Sequence, residues 1–174
     1  MNLPDETVTF TLQCVVNLKT MPSTIMPLGG YSAPYLWVRP TDQAVGLAQS
    51  SGDWRTGTRW RADHRSDGTV WLSVNNTKGG PGARCYLQRR GSGVIGVTAD
   101  TSLPDIAWKV VEAPNSLALE CVATITDVEL LCGEIATGFV GTQSTQYARR
   151  GSVEKTGQST AWQVDNKQYS GGDG

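Results

Sequence analysis

The stretches TRWRADHR at 58–65, IAWKVVEA at 106–113 and TAWQVDNK at 160–167 each carry a tryptophan, one variable residue and then an apolar residue. The tryptophans, Trp60, Trp108 and Trp162, lie 48 and 54 residues apart. Self-similarity at such a period is the mark of a repeat architecture, and the flanking sequence extends it. Upstream of each tryptophan comes a glycine that follows an apolar residue and leads back to small or polar ones: AVGLAQ with Gly46, VIGVTAD with Gly96, FVGTQS with Gly141. Upstream again are PYLWVRP with Leu36, CYLQRR with Leu87 and ELLCGE with Leu131, and the leucine-to-glycine gaps of 10, 9 and 10 are tight. Each unit opens with FTLQCV, VWLSVN or LALECV, centred on Leu12, Leu72 and Leu119. These openings alternate apolar and polar residues, which is the pattern of a half-buried strand.

The chain therefore reads as three units of four short strands, covering roughly 8–65, 66–113 and 114–167, with a polar tail at 168–174. Its 174 residues suit a single all-β domain spanning 1–174. Twenty glycines, with turn pairs such as Asp67-Gly68 and Pro114-Asn115, supply the punctuation, and no long stretch shows a capped helical period. Trp60, Trp108, Trp162 and the three opening leucines are assigned to a three-fold core. Cys14, Val74 and Cys121 form a further layer, which makes the thiols packing groups rather than redox groups.

Three units of this kind resemble the β-trefoil fold, and the strand order resembles the ricin-B-like and fascin-like groups. The resemblance covers residues 8 to 166. It implies that the first and fourth strands of each unit build a six-stranded barrel and the middle two form a hairpin cap. The Q-x-W signature of the ricin-B group would place glutamine two residues before each tryptophan; Thr58, Ile106 and Thr160 stand there instead.

The strand alternation leaves some aromatics over. Trp37 and Trp71 lie between inward residues and are predicted to point outward, as is Tyr86 beside Leu87. Trp54 sits among turn residues in SSGDWRTGT. An aromatic beside short polar side chains on a rigid turn suits saccharides, whose apolar ring face stacks while hydroxyls meet Asp, Asn, Gln or Arg. Three such places are predicted: Trp37 with Asp42 and Gln43; Asp53, Trp54 and Arg55; and Trp71 with Asn75 and Asn76; Tyr86 is a further candidate by itself. In ricin-like trefoils the ligand lies between the end of the first strand and the hairpin, with an aromatic of the second strand stacked on it. Trp37 and Tyr86 hold second-strand positions. Unit three shows neither a spare aromatic nor a polar turn at Ala123-Thr124 and is expected to be silent.

Other chemistry is expected to be absent. The four cysteines form no CxxC pair, so neither metal nor cofactor is expected. One histidine, His64, and no GxSxG, HExxH or phosphate loop argue against an enzyme, so no catalytic residue is assigned. Net charge is −1, which gives no field for nucleic acid. No apolar run approaches a membrane span, and the acidic start MNLPDETVTF is unlike a signal peptide, which leaves a cytoplasmic protein or one released without a classical signal. Arg59 and Arg61 flank Trp60 and are expected to face outward, where they could join Arg65, Arg84 and the two RRGS motifs, at 89–92 and 149–152, in an anion patch.

The predicted function is a lectin whose partners are glycans or glycoproteins, with a homo-oligomer a natural route to avidity. The alternative is a protein-binding trefoil: a protease inhibitor, a cytoskeletal module or the targeting part of a toxin. It would act through the Met- and Pro-rich loop LKTMPSTIMPLGGYSAP, at 18–34.

Overall fold

The computed structural model describes residues 3–15, 34–48, 57–76, 78–113, 115–122, 127–153 and 157–165. The first unit holds β1 (Thr11–Cys14), β2 (Tyr35–Val38), β3 (Val45–Ala48) and β4 (Arg61–His64). The second holds β5 (Val70–Asn75), β6 (Arg84–Gly91), β7 (Val94–Thr98) and β8 (Trp108–Ala113). The third holds β9 (Ser116–Cys121), β10 (Glu129–Glu134), β11 (Phe139–Ser144), β12 (Gln158–Ser159) and β13 (Trp162–Asp165). The predicted four strands per unit become five in the last, because two residues, Gln158 and Ser159, lie against the end of β10.

The first and last strands of the units close into a ring. β1 pairs with β13, β13 with β9, β9 with β8, β8 with β5 and β5 with β4. The ring is sealed where Phe10 and Trp60 exchange backbone hydrogen bonds of 2.9 and 2.7 Å. The same pairing recurs by three-fold symmetry, Val70 opposite Trp108 and Leu117 opposite Trp162. Closure leaves the barrel strands no open edge.

The core follows the repeat. Trp60, Trp108 and Trp162 are fully buried, with Leu12, Leu72 and Leu119 beside them and Cys14, Val74 and Cys121 beyond. An indole N–H buried without an acceptor would be costly, so each finds one. Trp60 Nε1 donates to the Leu36 carbonyl at 2.9 Å, Trp108 Nε1 to Leu87 at 3.1 Å and Trp162 Nε1 to Leu131 at 3.0 Å. The repeat leucines thus meet the repeat tryptophans, and each bond ties a barrel strand to the hairpin of its own unit. All four cysteines are buried, and none is in a disulfide.

The remaining pairs of strands, β2–β3, β6–β7 and β10–β11, are the hairpins. The tip of one hairpin docks on a strand of the next. The Gly138 carbonyl at one tip accepts from Leu47 N at 2.9 Å, and a side chain on Gly46 would come within 2.9 Å of that carbonyl. Gly141 meets the Gly93 carbonyl in the same way, at 2.5 Å from its missing Cβ. Gly93 and Gly138 hold positive φ at their tips; the equivalent first-unit residue is Gln43, at φ 60.

Of the two arginines flanking Trp60, Arg61 stays partly exposed beside Asp63 but Arg59 does not face outward. Arg59 is 3% exposed, because its guanidinium turns to Thr9 and donates to both the carbonyl and the hydroxyl of that residue at 3.1 Å. The RRGS arginines do not gather: Arg89 pairs with Glu129, and Arg150 pairs with Glu120. His64 ends β4 and its Nε2 meets the Pro4 carbonyl at 2.8 Å.

Candidate functional site

Hairpin β2–β3 presents Trp37 on its outer face. Leu36 and Val38 point into the core, so alternation turns the indole outward, and it is half-buried against Gly57. Trp37 stands opposite Gly46, and Gly46 stands opposite Phe139 of β11. Directly opposed residues share a face, so these three form one row: an aromatic, a residue without a side chain, an aromatic. Two strand spacings separate Trp37 from Phe139, about 10 Å along the sheet. Phe139 is 59% exposed, and its ring lies along its own strand over Gly141.

This row lines a groove of about 450 Å³ shared by the first and third units. Arg39, Val45 and Thr137 complete its walls. At the rim, Asp42 accepts from Arg39 Nε at 2.9 Å and Nη2 at 2.8 Å, and from the Ala44 N–H at 3.1 Å. The Arg39 hydrogen bonds are the main cause holding the Asp42 carboxyl below its ordinary value. The pair is about half exposed, so it is worth little to stability but presents fixed donors and acceptors to solvent.

The second cluster is the outer face of β4, β5 and β6. Trp71 meets Tyr86 edge to face, with centroids 5.7 Å apart and planes at 79°. The Arg65 guanidinium lies 3.9 Å from the Trp71 ring centroid, so one indole face is covered from within the chain. Asn75 accepts from Arg84 Nη1 at 2.9 Å, and Asn76 accepts from Lys78 N at 3.1 Å. Burial, then the charge of Arg61, pushes the Arg84 guanidinium below its usual value.

Gln43 joins the two clusters, its Nε2 donating to Asn76 Oδ1 at 2.8 Å. The predicted residues therefore separate: Trp37 lines the groove and Asp42 sits behind it on Arg39, Gln43 and Asn76 form a bridge between units, and Trp71, Asn75 and Tyr86 lie on the sheet face. Asp53, Trp54 and Arg55 lie outside the described residues, as does loop 16–33. Sequence reasoning missed Phe139 and the 76% exposed Tyr147. Both are aromatics without a three-fold counterpart, the criterion that singled out Trp37.

No family model matches the chain, and no curated protein matches it in sequence. Solved structures do match its shape. SeviL bound to asialo-GM1 saccharide superposes with a TM-score of 0.57 at 10% identity, over 92% of this chain and 98% of that one. The designed 3-fold symmetric protein ThreeFoil superposes with a TM-score of 0.51 at 16% identity, over 90% of this chain and 96% of that one. The fold is a β-trefoil. In this trefoil the three units are not equivalent on the outside: an aromatic groove marks the junction of units three and one, and an arginine-covered indole marks unit two.

Proposed function

We propose that this β-trefoil is a carbohydrate-binding protein that holds a glycan in the Trp37 groove. The row Trp37–Gly46–Phe139 carries the reading. A pyranose ring offers a flat apolar face to an indole and a rim of hydroxyls to polar groups. The Gly138 carbonyl packs over Gly46 at the floor and offers an acceptor, Trp37 and Phe139 flank the space, and Thr137 and Arg39, the latter held by Asp42, line it with further donors and acceptors. The likeness to SeviL bound to a saccharide supports the same reading.

The site binds without converting its ligand. Asp42 is held ionised by Arg39, which suits hydroxyl recognition and not general acid work near neutral pH. No metal or cofactor enters this mechanism. Partners are glycans or glycoproteins, not nucleic acid or the membrane interior. Single sites of this kind are weak, roughly 0.1–1 mM, so a homo-oligomer or a second site would supply avidity.

The test is a glycan array read with wild type and Trp37→Ala, both checked for folding by circular dichroism. Selective binding by wild type, lost in the folded variant, is the expected result. A folded wild type that binds no glycan overturns the proposal.

A further inference from the structure

Unit three carries a bare apolar face at the opposite end of β11 from the Trp37 groove. β11 starts at Phe139 and ends at Ser144, so five strand steps, about 17 Å, separate that face from the groove. There Tyr147 stands 76% exposed and Val122 48% exposed. The pairing of Glu129 with Cys121 puts Val128 and Val122, the next residue on each chain, at one end of their ladder. The Thr145 N–H donates to the Val128 carbonyl at 2.9 Å, which draws the turn bearing Tyr147 to the same place. Single exposed apolar residues are ordinary on a protein surface; two valines gathered with a tyrosine mark an interaction surface.

The face is held firmly. The N–H groups of Tyr147 and Ala148 both reach the Ser144 carbonyl, at 2.9 and 3.1 Å, and Ala148 is buried between its exposed neighbours Tyr147 and Arg149. The Arg149 carbonyl accepts from the Thr160 hydroxyl at 2.6 Å. On the other side, Tyr147 and Asp127 line a cleft of about 450 Å³. Glu129 anchors that cleft: it is 7% exposed, and it takes Arg89 Nη2 at 2.5 Å on one oxygen and the Thr142 hydroxyl at 2.6 Å on the other. Burial pushes the Glu129 carboxyl up, but Arg89 and Thr142 outweigh it and hold the group below its ordinary value. Asp127 and Arg149 are exposed, and neither joins an ion pair among the described residues. The apolar centre is thus flanked by one charge of each sign. A partner of a single charge sign would meet a like charge on one side, whereas a second copy, turned by a two-fold rotation, lays each Arg149 on the partner's Asp127.

We propose that two copies of this chain meet at the Tyr147 face as a two-fold dimer. Each tyrosine seats against the partner's cleft, the valines close the centre, and the two Arg149–Asp127 contacts fix the register. The dimer stands independently of the carbohydrate reading; its consequence, two Trp37 grooves on one body, rests on that reading. The grooves stay open in the dimer because they lie at the other end of β11. Linking two sites raises effective affinity without any new contact to the ligand.

Sedimentation equilibrium of the full chain counts the copies, over roughly 1–500 µM because an interface this small is weak. Wild type is expected to dimerise, and Tyr147→Ala to weaken the dimer about tenfold or more. Asp127→Arg and Arg149→Glu each set like charge against like charge at both contacts, and each alone is expected to be monomeric. Mixed in equal amounts, the two variants restore opposite charges at both contacts, and the dimer is expected to return. A wild type that stays monomeric across the range overturns the proposal. So does a dimer indifferent to Tyr147→Ala, or a mixture of the two charge variants that remains monomeric. A dimer whose glycan array is blank overturns the Trp37 reading and leaves the dimer standing; a monomer that binds glycans does the reverse.

Discussion

Replacing Trp60, Trp108 or Trp162 with phenylalanine removes the same interaction from three places. Each indole is fully buried, and its N–H reaches a hairpin carbonyl at 2.9, 3.1 or 3.0 Å. Phenylalanine has no N–H, so a buried carbonyl loses its donor at a cost of about 1–3 kcal/mol. The smaller ring also leaves part of the space unfilled, and lost apolar burial adds roughly 1–2 kcal/mol. Each single change should therefore cost about 2–5 kcal/mol, a large share of the ~5–15 kcal/mol that holds a domain of this kind. Tm should fall by roughly 4–20 °C in every case. Urea unfolding followed by circular dichroism gives the three values, with Trp37→Phe as the half-buried comparison, which should cost less than about 1 kcal/mol. The reasoning rests on three-fold equivalence, so the three core values should agree within about 1 kcal/mol. If one core variant behaves like Trp37→Phe while another unfolds the protein, the equivalence of the units is refuted.

Four further outcomes follow from the hairpins and the core. Gly141→Ala places a Cβ 2.5 Å from the Gly93 carbonyl, so the tip of the second hairpin must retreat; denaturant titration should show a loss of about 1–3 kcal/mol, and full stability would mean the tip does not dock there. Burial raises the Cys14 thiol to about 12 and the Cys85 thiol to about 11, so both should resist an aromatic disulfide reagent at neutral pH in the folded protein and react once it is unfolded. Because those values lie above the unfolded 9.0, their stabilising effect is complete below pH 9 and fades as pH rises towards 11 and 12; Cys14→Ala should flatten that alkaline fall in the urea midpoint. Glu129 behaves oppositely: its value lies below the unfolded 4.5, so its share of stability holds above that pH and is lost on acidification, and the acid limb should be shallower in Glu129→Gln.

Much of the fold was legible because it is written three times. Two leucines, a glycine and a tryptophan recurring in the same order, the second leucine at a near-constant distance from the glycine, located the strands, and the structure joins Leu36, Leu87 and Leu131 to the repeat tryptophans. Period-two alternation placed Trp37 and Trp71 on outer faces. Alternation failed at Arg59 because it gives a direction but not what lies there; Thr9 lies there and takes the guanidinium. β12 escaped notice because two residues carry no periodicity. The groove was half visible. Trp37 and Asp42 are local to one hairpin, whereas Phe139 joins them only because the third hairpin docks on the first. Arg89 and Glu129 are 40 positions apart in sequence, and nothing in either segment names the other.

The pairing of β1 with β13 sets Leu12 opposite Val164 and Cys14 opposite Trp162, so the two ends of the described chain finish side by side. A barrel closed in this way cannot be completed during synthesis until the last strand has left the ribosome, and its early strands wait with their apolar faces uncovered. The same adjacency makes the starting point of the chain arbitrary. A short linker between the ends, and a cut at the Asp67-Gly68 turn between the first unit and the second, would give a rearranged chain with every barrel pairing intact.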